Sequence, residues 1–195
     1  MVNEEDVEVF WTRGDIHSRV QLAMTKANLV NKKLEIEELF PIDQYHARGI
    51  AATVDLGKRM PIKKNQSILD IGCGLGGPAR YYAKEFECII TGIDITPSFV
   101  EIGNEFNKIT SMSNKVELKV GNGEILDFQN ETFDGAYSQH VTMNISEREN
   151  PIQRTNELRE NRILFISVED CCPMHLNTTE TGVKEAAIMC LRVHW

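Results

Sequence analysis

An apolar run that breaks into glycines constrains this chain more than any other feature. It reads Ser67-Ile68-Leu69-Asp70-Ile71-Gly72-Cys73-Gly74-Leu75-Gly76-Gly77-Pro78. Ile68, Leu69 and Ile71 suit a strand covered on both faces. The glycines permit positive φ and let a ligand lie against the backbone. Pro78, with its φ preset and no N–H to satisfy, suits the first turn of a helix. Strand, glycine turn and helix N-terminus in that order make a ligand cradle at the end of a parallel sheet. A second apolar strand, Ile89-Ile90-Thr91-Gly92-Ile93-Asp94, ends in an acid 18 residues after Gly76. That is close to the ~20 at which an acid receives a ribose diol.

The glycines fit two templates. Gly72, Gly74 and Gly77 satisfy the dinucleotide pattern G-x-G-x-x-G, and Gly72, Gly74 and Gly76 satisfy D-x-G-x-G-x-G with Asp70 in front. Asp70 separates them by charge. A carboxylate at the strand tip repels a pyrophosphate and attracts an ammonium or a sulfonium. S-adenosylmethionine (SAM) carries both cations and no phosphate, so SAM is the expected cofactor.

At these residues the chain resembles the class I SAM-dependent methyltransferases. Ile68-Leu69-Asp70-Ile71-Gly72-Cys73-Gly74 is similar to their first motif, and Gly92-Ile93-Asp94-Ile95-Thr96 to the segment after it. The likeness runs from about Asp43 to Ile145. Within it, Asp43-Gln44-Tyr45-His46 with Gly49, Gly76-Gly77-Pro78-Ala79-Arg80-Tyr81, and Ser138-Gln139-His140-Val141-Thr142-Met143-Asn144-Ile145 resemble a narrower branch. That branch contains small-molecule enzymes similar to the sarcosine/dimethylglycine N-methyltransferases. The resemblance implies transfer of a methyl group from SAM to a small-molecule acceptor, with an amine such as sarcosine or dimethylglycine as one candidate.

Residue roles follow from both readings. Gly72, Cys73, Gly74 and Gly76 are expected to bring backbone to the cofactor, and Asp70 to sit by its α-ammonium group. Asp94 has two acceptor oxygens spaced for a vicinal diol, and Ile95 is expected on the adenine face. Gly121-Asn122-Gly123 lies where the family usually has Gly-Asp-Ala, so Asn122 keeps an acceptor for the adenine amine but not the charge. Gln139 and His140 fall just past a strand end, where open α/β sheets bind ligands. The resemblance puts them beside the transferring methyl, Gln139 toward the cofactor and His140 as the candidate catalytic base. Tyr45 and His46 are expected to close the site over the substrate, with Met143 lining it and Asn144 in support.

Composition narrows the partners. The 195 residues carry a net charge of −8 and a pI near 5.2. No basic stripe exists to replace the counterions of a nucleic acid. No apolar run approaches the ~18 residues of a membrane span, and the acidic N-terminus lacks a basic n-region and an apolar h-region. Five scattered cysteines point to a reducing cytoplasm. Cys171-Cys172 with His175 matches no zinc spacing, so no metal is expected.

The expected architecture is a doubly wound, Rossmann-like α/β sheet with an N-terminal helical lid. Residues 1–65 form the lid segment, 66–170 the SAM-binding domain and 171–195 an atypical tail. Helical spacing runs from Leu29 to Phe40, and Asp43 is placed to cap a helix from Gln44 to Met60 over the cofactor mouth. Strands are expected at Ser67–Ile71, Cys88–Ile93, Val116–Val120, Phe133–Ser138 and Ile163–Val168. Helices are expected at Pro78–Phe86 and from Thr96 or Ser98 to Ile109, with Ser98 to Glu101 reading as a capping box. Ser146 to Glu149 reads as another. Past Val168 only one short helix, Gly182–Cys190, is expected. The sheet then lacks its last two strands, and an oligomer or partner is expected to cover the open edge. Two other readings stand beside the enzyme: a SAM-binding or partner-binding fragment without catalysis, suggested by the tail, and a nucleotide-dependent oxidoreductase, suggested by Gly72, Gly74 and Gly77.

Overall fold

Six strands line up in one sheet: β1 (Ser67–Ile71), β2 (Ile89–Asp94), β3 (Val116–Val120), β4 (Gly135–Gln139), β5 (Phe165–Val168) and β6 (Leu191–His194). Their order is β3-β2-β1-β4-β5-β6. All neighbours run parallel except β6, which is antiparallel to β5. The computed structural model describes residues 15–44, 46, 48–130 and 132–141, together with the backbone of 165–168 and 191–194. Among the described residues five helices accompany the sheet: α1 (Ile16–Lys26), α2 (Ile36–Asp43), α3 (Ile50–Gly57), α4 (Gly77–Glu85) and α5 (Pro97–Ile109). This is a Rossmann-like α/β sheet with an N-terminal helical lid. The order reverses between β1 and β4, and that reversal opens the crevice in which such sheets bind ligands.

The alternation along β1 shows why these strands are central. Ile68 faces a core with Leu56, Ala79, Tyr82, Ile90 and Tyr137. Leu69 and Ile71 face the opposite core with Ile93, Leu126, Phe133 and Ala136. Both faces are covered, as a parallel sheet requires. A third cluster joins Ile16, Met24, Leu34 and Leu39 of the N-terminal segment to Leu75, Phe99, Ile102 and Phe106. So α1 and α2 pack along α5 and the glycine turn.

Several boundaries differ from those expected, each for a local reason. The helix from Leu29 to Phe40 is absent because Asn28 and Asn31 take positive φ of 55° and 60°. Helix α2 starts at Ile36 instead, behind a reciprocal Glu35–Glu38 capping box, and runs through Pro41 to Asp43. The Gln44–Met60 helix is broken at its start: Gln44 leaves the helical region, and Arg48 and Gly49 take positive φ before α3 begins. Asp43 therefore ends one helix and caps none. At α5, Thr96 is the N-cap with Pro97 in the first turn and no side-chain cap, so Ser98 caps nothing. Strands β2 and β4 run one residue further than expected, to Asp94 and Gln139. Helix α1 carries no expectation from the sequence, and β6 corrects the expectation that only one short helix follows Val168. The capping box at Ser146, the helix at Gly182–Cys190 and the Cys171-Cys172 pair lie outside the described residues. Among the described residues no cluster suits a metal ion, and no helix is long and apolar enough to cross a membrane.

Candidate active site

The β1–β2 side of the crevice is held by backbone groups. The N–H groups of Gly72 and Cys73 both donate to Ile93 O, at 2.8 and 2.9 Å, which fastens the glycine turn to β2. Asp94 fastens it a second time. Its Oδ2 accepts from Gly74 N at 2.8 Å and its Oδ1 from Thr96 N at 2.9 Å. The Thr96 hydroxyl is a third donor to this carboxylate, which leaves about one of its acceptor sites for a ligand. Burial raises the Asp94 pKa, and those two N–H groups together with the Thr96 hydroxyl oppose the rise.

The glycines of the turn differ in what surrounds them. Gly72 has φ +79°, and a Cβ there would lie 2.3 Å from Val141 Cγ2. Gly74 has φ +52° and nothing within 4 Å of such a Cβ, so open space for a ligand lies at Gly74. Gly76 is the left-handed N-cap of α4. The Cys73 side chain is buried against Gly92.

Asp70 lies deeper. It is 2% exposed, and its Oδ2 accepts from the Tyr137 hydroxyl at 2.7 Å. Burial pushes its pKa up to about 7; the Tyr137 bond opposes this and the neighbouring Asp94 charge adds to it. Beyond β3, Gly121 N donates to Asp94 O at 2.9 Å. Asn122 Oδ1 accepts from Glu124 N at 2.7 Å, so one of its two lone pairs closes the local turn.

The β4 side is built from side chains. Gln139 Nε2 lies 3.0 Å from His46 Nε2 and donates to Thr53 Oγ1 at 3.2 Å. Thr53 Oγ1 donates to Gln44 Oε1 at 2.6 Å. The Tyr82 hydroxyl donates to Thr53 O at 2.9 Å and lies 3.3 Å from Gln139 Oε1. His140 has φ +60° and stacks on His46, with ring centroids 4.9 Å apart and 21° between planes. The two sides meet where Val141 fills the space beside Gly72.

Arg80 ties the lid to this frame. It is fully buried and donates to Asp43 Oδ2 at 3.0 Å, Asn107 Oδ1 at 2.7 Å, Gly103 O at 3.1 Å and Leu75 O. One guanidinium thus joins the end of α2, the glycine turn and α5. Phe106 lies beneath it, 5.5 Å from ring centre to guanidinium carbon.

A family model described as "Methyltransferase domain" matches residues 69–159, from β1 past the end of β4. Over these residues, a little under half of its length, the chain is similar to the class I SAM-dependent methyltransferases. It is 34% identical over 116 residues to the 24-methylenesterol C-methyltransferase 3 of Arabidopsis thaliana, covering 60% of this chain and 32% of that one. It is 27% identical over 115 residues to the phosphoethanolamine N-methyltransferase 1 of the same plant, covering 59% and 23%. Among solved structures, the [4+2]-cyclase SpnF superposes with a TM-score of 0.65 at 19% identity, over 86% of this chain and 60% of that one. This last likeness concerns the fold alone. The chain spans between 23% and 32% of the length of these two curated relatives.

On this methyltransferase fold, the residues singled out from sequence fall into two groups. Asp70, Gly72, Cys73, Gly74, Gly76, Asp94 and Ile95 gather at the ends of β1 and β2, with Asn122 and Gly123 beside them past β3. Gln139, His140 and His46 gather at the end of β4, and the Gln139 amide is engaged by the lid. Tyr45 and Met143 lie outside the described residues, as does Asn144. Thr53, Tyr82, Tyr137 and the Asp43–Arg80 pair were not singled out as site residues. Arg80, a lone charge on an otherwise buried helix face, is the one with a local signal; the others are joined by contacts spanning 29 to 86 residues.

Proposed function

We propose that this chain transfers a methyl group from SAM to a small-molecule acceptor. The observation that carries the reading is Asp94. Its two oxygens are fixed by N–H groups from the turns after β1 and β2, next to the open space at Gly74. That donor set fits a vicinal diol beside a backbone approach. Asp70 adds a carboxyl that ionises more readily when a cation arrives. When bound, SAM supplies an activated methyl and a good leaving group. The protein's part is alignment and exclusion of water, and alignment alone contributes on the order of 7–11 kcal/mol. Asp94 and the glycine turn orient the cofactor, and the lid held by Arg80 keeps water out.

The relatives are named for a methylenesterol and for phosphoethanolamine, which supports small acceptors. Within that class we favour an amine such as sarcosine or dimethylglycine, on the resemblance of the Gln139–Ile145 run. The free thiols of Cys73 and Cys88 support a reducing, cytoplasmic setting.

Titration calorimetry with SAM and its demethylated product tests the cofactor. Micromolar binding of both, lost in Asp94→Ala, is the expected result, followed by methyl transfer to an amine panel. A folded protein that binds neither would overturn the proposal.

A further inference from the structure

A buried carboxylate is held by its donors, and the two acids of the crevice differ in how many they have. Asp94 is half-buried and accepts from Gly74 N, Thr96 N and the Thr96 hydroxyl. Asp70 is buried more deeply, yet among the described residues the Tyr137 hydroxyl at 2.7 Å is its one donor. The titratable groups around it come from four elements: Asp94 from β2, Cys73 from the glycine turn, Tyr82 from α4 and Tyr137 from β4. None of them is a cation, and the buried guanidinium of Arg80 is committed to Asp43. Burial pushes the Asp70 pKa up, the Asp94 charge adds to the rise, and the Tyr137 bond alone opposes it. Tyr137 is itself fixed. It is the register partner of Asp70 across β1 and β4, so both side chains leave the same face of the sheet. Its ring is fully buried and meets Tyr82 edge-on, with centroids 5.1 Å apart and 89° between planes. The Tyr82 hydroxyl ties that pair to the lid through Thr53 O at 2.9 Å. Burial and the Asp70 charge push the Tyr137 pKa well up, so its hydroxyl keeps the proton that it donates.

We propose that Tyr137 is a positioning residue for the cofactor's cation: its hydroxyl holds Asp70 Oδ2 and leaves Oδ1 to meet an ammonium or a sulfonium. A buried acid with one neutral donor and no counter-ion is incomplete, and the charge that it lacks is the charge that SAM carries. The inference rests on the methyltransferase reading and deepens it by linking cofactor binding to a proton. In acid, Asp70 carries that proton on Oδ1, because Oδ2 is taken by Tyr137, and the arriving cation displaces it to solvent. Without the Tyr137 hydroxyl the carboxyl loses the interaction that favours its charged form. The cation must then displace a proton that is held more tightly.

Carboxyl-carbon spectra of the unliganded 195-residue protein, titrated through neutral pH, test this without any cofactor. Asp70→Asn assigns the Asp70 signal. Tyr137→Phe keeps the ring and removes the hydroxyl, and the Asp70 midpoint is expected to rise by about one unit, tenfold in proton affinity. Tyr82→Phe removes a hydroxyl from the neighbouring ring and should leave that midpoint in place. A midpoint unmoved in Tyr137→Phe, or moved as far in Tyr82→Phe, overturns the proposal. Should Tyr137→Phe not fold, the wild type still decides. The Tyr137 carbon that bears the hydroxyl should shift with the Asp70 midpoint, and a flat signal while Asp70 titrates overturns the proposal as well. Calorimetry with SAM adds the ligand. The loss of affinity in Tyr137→Phe relative to wild type, a ratio in which the cofactor's own titration cancels, is expected to be about tenfold near pH 6 and below about twofold near pH 8.5. An equal loss at every pH marks a merely structural role and overturns the proposal. A wild type that binds no SAM sinks the methyltransferase reading whatever the midpoints do, whereas SAM binding with an unmoved midpoint sinks only this inference.

Discussion

The two sides of the crevice are made of different materials. Past β1 and β2 the site consists of main chain: glycines, their N–H groups and one carboxylate that collects them. Past β4 it consists of side chains, with Gln44, Thr53, Gln139, Tyr82 and His46 in contact with one another. The first construction depends on where a Cβ is forbidden. The second depends on which way each proton points, and buried networks of that kind are costly when half satisfied. The cradle therefore tolerates changes of chemistry better than changes of shape, and the lid side the reverse.

The sharpest way to break this contrast is at Arg80. Arg80→Met keeps the volume and leaves Asp43 buried without its partner, which is expected to cost about 3–5 kcal/mol in denaturant unfolding. A loss under about 1 kcal/mol would mean the lid is not anchored through this residue. Next comes Gly72→Ala, which meets both the positive φ and Val141 Cγ2 at 2.3 Å and is expected to lose about 3 kcal/mol. Part of that returns if Val141→Ala is added, and no recovery would show that backbone strain is the whole cost.

A third test uses pH. The Asp70 pKa lies near 7 in the folded chain against an ordinary 3.8, so the folded state binds the extra proton between those values. Unliganded stability should accordingly be highest near pH 4 and fall as pH rises toward 7. Asp70→Asn should flatten that slope in thermal melts taken across the window. A cationic ligand favours the ionised form, so SAM affinity in the wild type should strengthen from pH 6 to 8. The smallest effect on stability is expected for Gly74→Ala. Its φ of +52° costs about 1 kcal/mol, yet the methyl group enters the open space, and calorimetry should record at least a tenfold weaker SAM interaction. If Gly72→Ala and Gly74→Ala behave alike, the distinction between packed and open glycines is wrong.

This difference of materials also governs what could be read from residues alone. The β1 turn and the acid of β2 were legible because their partners are 20 residues apart or fewer and the pattern is one of backbone needs: strand, glycine, helix start. Strand β3 matched its expected bounds for the same reason. Gln44–Met60 was misread as one unbroken helix because apolar spacing carries no mark of the positive φ at Arg48 and Gly49. Thr53 sits in an apolar stretch and gave no sign of its role. Its meaning comes from Gln139, 86 residues later, just as Tyr137 takes its meaning from Asp70, 67 residues earlier. Hydrogen bonds between distant side chains leave no local periodicity, so the cofactor cradle was expected and the lid network was found.

The Arg80 hub has a consequence for how the molecule opens. One guanidinium grips the end of α2, the carbonyl of Leu75 and two groups on α5, so none of these can loosen while the others stay protected. In native-state hydrogen exchange, amides of α2, the glycine turn and α5 should open together as one cooperative unit. The N-terminal helices then belong to the same foldon as the β1–β2–β3 half of the sheet, and are not an appendage to it.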